Sequence, residues 1–153
     1  MRVVNASQVF EGSVHDAETV WYDTERWPRW IVGIARIQSV SGDWPEVGGQ
    51  VRWQSGPAGR GDVSERVVSY EPLSGQTVEV QDDSIRGTQR VSFVPVETNV
   101  AVTLSLSYEL KRRSPWMRLV DLVFIRRAMT RSLEQTLSRF GAELGTSRRP
   151  NVG

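Results

Sequence analysis

The carboxylate best placed to do chemistry in this 153-residue chain is Glu65. It lies in Asp62-Val63-Ser64-Glu65-Arg66-Val67, in phase with Val63 and Val67. Side chains alternate along a strand, so this phase turns Glu65 toward the apolar face. An inward carboxylate either pairs with an internal cation or stands as a desolvated general base with a raised pKa. Solvation near a sheet edge is the plain alternative. The cation at issue is Arg126. On a helix, Leu119, Leu122, Met129, Leu133, Leu137, Phe140 and Leu144 fall on one stripe, and Arg126 lies near its centre. A buried guanidinium must be paired or reach water. Arg126 therefore reads as an anchor for a carboxylate or phosphate, as the partner of an internal acid, or as a snorkelling side chain.

Trp27, Trp30 and Trp53 are large amphipathic surfaces. They suit the wall and entrance of a cavity for a flat or acyl ligand, or plain core packing. A hairpin turn at Glu97-Thr98 pairs Phe93 with Val102 and Val91 with Leu104. That register places Gln89 and Tyr108 on the same inner face. Both can orient a ligand carbonyl, or bond to each other or to water. The candidate ligand-binding set is thus Trp27, Trp30, Trp53, Glu65, Gln89, Phe93, Leu104, Tyr108, Arg126, Met129 and Leu133, with Glu65 and Tyr108 as candidate catalytic groups. The one histidine, His15, falls at a strand-to-helix junction near the surface. Arg60-Gly61-Asp62 spells a cell-adhesion tripeptide but follows Gly56-Pro57-Ala58-Gly59 and reads as a hairpin turn.

Much chemistry is excluded by composition. The absence of cysteine removes disulfides, thiol nucleophiles and Cys-based metal sites. A single histidine argues against a His-rich metal site or a His-dependent triad. Phosphate-loop, dinucleotide, nucleophile-elbow and zinc-protease motifs are missing, so neither metal nor cofactor is expected. No apolar run approaches the roughly 18–20 residues that span a bilayer. The start, Met1-Arg2-Val3-Val4-Asn5, lacks an apolar signal core, and a cytoplasmic location is expected. The formal charge of +1 hides an asymmetry: residues 1–110 carry nine Arg against fifteen acids, residues 111–153 ten bases against three. The basic part reads as a solvated helix face. Its aromatics, Phe124 and Phe140, serve packing better than base stacking, so nucleic-acid binding is not expected.

These residues need elements to hold them. Residues 5–14 read as a first strand. Asp16 is a candidate N-cap for a helix over 17–23. Pro28 disfavours a helical Trp27, so the helix breaks there and a second short one starts at Pro28. Strands follow at 34–41, 50–56, 62–71, 76–83, 88–96 and 99–112, with Gly, Pro and Asp at the breaks. The last alternates cleanly, so the sheet has one wet and one buried face. A long amphipathic helix over 115–144 supplies the matching stripe, and 146–153 forms a basic tail. The expected fold is α+β: one domain over 1–145, a curved antiparallel sheet of about seven strands around the C-terminal helix. Seven strands exceed what one helix covers, which leaves space for a cavity.

Three pieces of sequence resemble the START-like superfamily, in its bacterial polyketide cyclase/dehydrase and lipid-transport branch. They are Val20-Trp21 with Glu25-Arg26-Trp27-Pro28-Arg29-Trp30, Tyr70-Glu71-Pro72, and Ser114-Pro115-Trp116 leading into Leu119 and Arg126-Arg127-Ala128-Met129. The family has about one more helical turn between its V-W and its W-P-x-W, a departure that bears on the cavity rim. The resemblance implies a helix-grip fold with a deep apolar cavity. Members bind lipids, hormones or polyketides, cyclise polyketides, or act with larger partners. The leading expectation is binding of a hydrophobic small molecule (lipid, acyl or polyketide-like) between sheet and helix. One alternative is a cyclase or dehydratase using Glu65 as base and Tyr108 or Arg126 as donor. Another is an interaction protein whose basic helix face meets an acidic partner or, transiently, an anionic membrane.

Overall fold

The computed structural model describes residues 2–56, 61–111 and 124–148. Along the chain run β1 (Arg2–Glu11), α1 (Val14–Tyr22), a 3₁₀ turn (Thr24–Arg26), α2 (Trp27–Trp30), β2 (Ile34–Ser41), β3 (Gln50–Ser55), β4 (Asp62–Glu71), β5 (Gly75–Gln81), β6 (Ile85–Val96), β7 (Asn99–Leu110) and α3 (Arg126–Arg148). The seven strands form one antiparallel sheet in the order β1-β7-β6-β5-β4-β3-β2. Strands β2 to β7 are a meander, because each short turn returns the chain beside the strand it left. β1 pairs instead with β7, so the first and second strands are the two edges. The segment carrying α1 and α2 must therefore cross from one edge to the other. Register shifts between β2 and β3, and between Val67 and Ser69 on β4, mark bulges that bend the sheet.

The apolar alternation of β7 becomes the inner face: Val100, Val102, Leu104, Leu106 and Tyr108 are all buried. Phe93 faces Val102 and Val91 faces Leu104 across the Glu97-Thr98 turn, the register expected from sequence. On α3, Leu133, Leu137, Phe140 and Leu144 are buried, and Arg127 and Arg131 are exposed. The helix comes down close to β1 at Gly141, where an added Cβ would meet the Phe10 ring at 2.5 Å. Phe10 packs edge-on to Phe140, with centroids 5.4 Å apart. α2 and the 3₁₀ turn before it are tied to the same helix by charge: Arg29 reaches Glu143 at 3.2 Å and Arg26 reaches it at 3.8 Å.

Several boundaries differ from expectation. β1 starts at Arg2 because it pairs with β7 residue by residue, and it stops at Gly12, whose φ of 125° favours glycine. Ser13, not Asp16, caps α1. Its hydroxyl accepts from the Asp16 N–H at 3.0 Å while its own N–H donates to the Asp16 carboxylate at 3.3 Å. This is a capping box, which places Asp16 at the third helical position. Trp27 is helical (φ −52°, ψ −39°) despite the proline after it. Burial of its ring and a 2.8 Å bond from its indole N–H to the Trp21 carbonyl outweigh a modest steric bias. β6 begins three residues early, at Ile85, where the Asp82 carboxylate accepts from the Ser84 and Ile85 N–H groups. α3 continues through Arg148, so the first residues of the predicted tail are helical. The predicted helical stretch 115–123, with Leu119 and Leu122, lies outside the described residues.

Candidate ligand cavity

α2 is only four residues long, but it sets two tryptophans against the inner face of the sheet. Around them lies a small cavity of about 60 Å³. Its walls are Trp21, Trp27 and Trp30 from α1 and α2, Trp44 from the loop after β2, and Trp53 from β3. The sheet adds Glu65, Gln76, Gln89 and Leu104, and α3 adds Ser132, Leu133 and Thr136.

Most of these polar groups are tied down. The Trp53 indole donates to Glu65 Oε2 at 2.7 Å, a bond between adjacent strands. The β3–β4 register, Val51 beside Glu65 and Trp53 beside Val63, makes the two side chains diagonal neighbours on the inner face. Gln76 Nε2 donates to the Pro45 carbonyl at 2.9 Å, and Thr136 Oγ1 accepts from the Val32 N–H at 3.2 Å. The Trp44 indole donates to the Tyr22 carbonyl at 3.0 Å. Trp30 differs. It is 0% exposed, yet its indole nitrogen has no hydrogen-bond partner among the described residues. Such a buried donor costs about 1–3 kcal/mol while unsatisfied. Its ring is fixed by Trp21, 4.7 Å away centroid to centroid, and by Phe140 at 5.2 Å.

Seven residues expected from sequence meet here: Trp27, Trp30, Trp53, Glu65, Gln89, Leu104 and Leu133. The other four do not line the cavity. Phe93 faces inward but is covered by Trp21 and Tyr22, at 6.0 and 6.2 Å between centroids. Tyr108 is fully buried near the far end of β7. Burial raises its phenol pKa, and the charges of Arg2 and Arg126 partly pull it back. Met129 is half-buried and packs on the core. Arg126 corrects the expectation most. It is exposed at the first turn of α3. Helix phase does aim it to the sheet side, where Tyr108 feels its charge, but burial also needs a facing surface to cover the guanidinium. Glu65 accepts a hydrogen bond from the Trp53 indole.

Sequence reasoning missed Trp21, Trp44, Gln76, Ser132 and Thr136. Gln76 was legible, since it alternates in phase with Val78 and Val80. Ser132 and Thr136 flank Leu133 at helical spacing. Trp44 sits in a loop, where no periodicity points inward.

A bent antiparallel sheet gripping one long helix, with a cavity between them, defines a helix-grip protein. The chain matches the model of the family described as polyketide cyclase / dehydrase and lipid transport over residues 1–145, and it belongs to that family. No curated protein matches it in sequence. Among solved structures it is similar to a START superfamily protein from Mycobacterium smegmatis, with TM-score 0.75 at 16% identity, covering 95% of this chain and 98% of that one. The protein TTHA0849 from Thermus thermophilus is comparable, with TM-score 0.74 at 17% identity and coverage of 97% and 100%. Norcoclaurine synthase from Thalictrum flavum, solved with a transition-state analogue, superposes with TM-score 0.71 at 11% identity, covering 97% of this chain and 96% of that one. At such identities the likeness is one of fold.

Proposed function

We propose that this protein binds a compact hydrophobic molecule in the tryptophan-walled cavity between the sheet, α2 and α3. The observation that carries the proposal is the composition of the wall: indole rings on several sides, with a few polar groups fixed among them. That is the makeup of a small-molecule site. Size narrows the ligand. At about 60 Å³ the space is far below the roughly 300–1,000 Å³ of sites for drug-sized molecules. A long acyl chain or a polyketide would have to push apart rings that pack on one another. A compact ring or short branched compound asks for much less.

Native mass spectrometry of freshly purified protein tests this directly. The expected result is a low-mass adduct that leaves on denaturation, together with a change in tryptophan emission when it is stripped. Protein that always runs at its bare mass, with emission unmoved by a panel of compact apolar compounds, overturns the proposal.

One observation favours a second reading, an enzyme of the cyclase or dehydratase type. Glu65 presents a carboxylate to the cavity wall at only 6% exposure. A general base needs that kind of reach to a bound carbon acid. On this reading Glu65→Gln abolishes turnover and leaves binding in place. Tyr108, outside the lining, takes no part in it.

A further inference from the structure

We infer that Gln76 and Gln89 recognise the ligand together, and that the ligand offers them a hydroxyl, which donates to Gln76 Oε1 and accepts from Gln89 Nε2. The inference rests on the cavity-binding proposal and adds the chemical class. It starts from the polar side chains that the sheet brings to the cavity, Glu65, Gln76 and Gln89. Glu65 is engaged by the Trp53 indole. Gln76 is half engaged: its Nε2 donates to the Pro45 carbonyl at 2.9 Å. A carbonyl only accepts, so this bond fixes which end of the amide is which and leaves Oε1 as the end without a partner. The Gln89 amide makes no hydrogen bond with any described residue.

Both amides open onto the cavity. The described side-chain atoms that are unpartnered and also closed off from any space are the Tyr22 hydroxyl and the Trp30 indole nitrogen. Gln76 Oε1 and the Gln89 amide are unpartnered without being closed off, and the space their side chains line is the cavity. The register brings the two residues together. Gln76 stands opposite Val91, and Gln89 opposite Val78, on the paired strands β5 and β6. They are therefore diagonal neighbours on the inner face, roughly 7–8 Å apart. One atom that both donates and accepts serves both amides at once. A hydroxyl does so, whereas a ketone or an ether only accepts and would set its oxygen against Gln76 Oε1. Pro45 holds the Gln76 amide, so the acceptor is in place before a ligand arrives and little freedom is lost on binding.

Water has the same donor and acceptor character and is the competing occupant, since a site of this volume is roomy enough to hold it. Titration with cyclopentanol, cyclopentanone and methylcyclopentane separates the cases, because the ring stays the same while its polar group changes. Tryptophan emission reports binding. The side-chain amide signals of protein labelled with ¹⁵N-glutamine, assigned through the backbone, report on Gln76 and Gln89. The expected result is that cyclopentanol binds about tenfold more tightly than either of the other rings and moves both amide signals. Gln89→Met keeps the length of the side chain, removes its polar end and orphans no protein partner. It should bring cyclopentanol down to the affinity of the hydrocarbon and leave methylcyclopentane binding unchanged. If that variant does not fold, the amide signals of the unaltered protein decide. A ketone or hydrocarbon that matches the alcohol, alcohol binding that leaves either amide signal in place, or a Gln89→Met variant that keeps the preference overturns the assignment while the cavity proposal stands. If none of the rings disturbs the tryptophan emission or the amide signals, the cavity proposal falls and takes this inference with it.

Discussion

Tyr22 shares with Trp30 the condition of a buried polar atom without a partner among the described residues. Its ring meets Trp44, Tyr70 and Phe93 edge-on. Burial raises its phenol pKa well above the usual value, and the nearby Glu18 and then Tyr70 add to the shift. In the unfolded chain a tyrosine ionises near pH 10. Above that pH the unfolded state has given up a proton that the native state keeps, so stability falls as pH rises. Tyr22→Phe should flatten this alkaline loss. At neutral pH it should be close to neutral, because no partner is orphaned by removing the hydroxyl. Urea midpoints of both proteins across the alkaline range check this. Equal slopes would mean that Tyr70 and Tyr108, whose phenols are also raised, account for the whole effect. At this scale Glu65 and Trp30 differ instructively. The inward turn of Glu65 follows from the two-residue period of a strand. Which indole lacks a partner depends on where carbonyls from distant segments come to lie.

Gly141 is where α3 comes down closely on β1. Glycine inside a helix is ordinarily a weakness, and alanine there would gain about 1 kcal/mol of helix propensity. Here the added methyl would run into Phe10, whose ring is buried and braced against Phe140. Overpacking of this kind costs about 1–3 kcal/mol. Gly141→Ala should therefore lower the melting temperature, and Phe10→Leu should relieve the Ala variant more than it harms the parent. A stabilised Gly141→Ala would show that α3 stands further from β1. The elements themselves were largely legible in the sequence. Clean alternation in β7 and one hairpin turn set the β6–β7 register. The apolar stripe set the face of α3. Caps and edges were less so: Ser13 and Asp82 act through backbone bonds, which period alone does not reveal. Arg126 shows the limit of phase, which gives a direction on a helix but not what stands opposite.

The charge of the whole molecule divides between a net-acidic sheet region and a basic C-terminal segment. Among the described residues, no helix is long and apolar enough to cross a membrane. Arg127 and Arg131 are exposed on α3, away from the buried stripe. Reversing both to glutamate should leave the melting transition within a few degrees, since exposed charges contribute little to stability. The same variant should abolish binding to anionic vesicles if the basic face makes such a contact. Vesicle binding that survives unchanged removes that face from consideration. By itself the sequence determined the order of elements, the buried faces of β7 and α3 and the helix-grip outline, because periodicity and turn chemistry are local properties that each segment carries with it. Only the tertiary structure decided that the tryptophans close on a space of about 60 Å³, that Arg126 stays at the surface and that the Trp30 indole finds no acceptor among the described residues. Those outcomes depend on distances between residues far apart in the chain, and no local pattern encodes a distance.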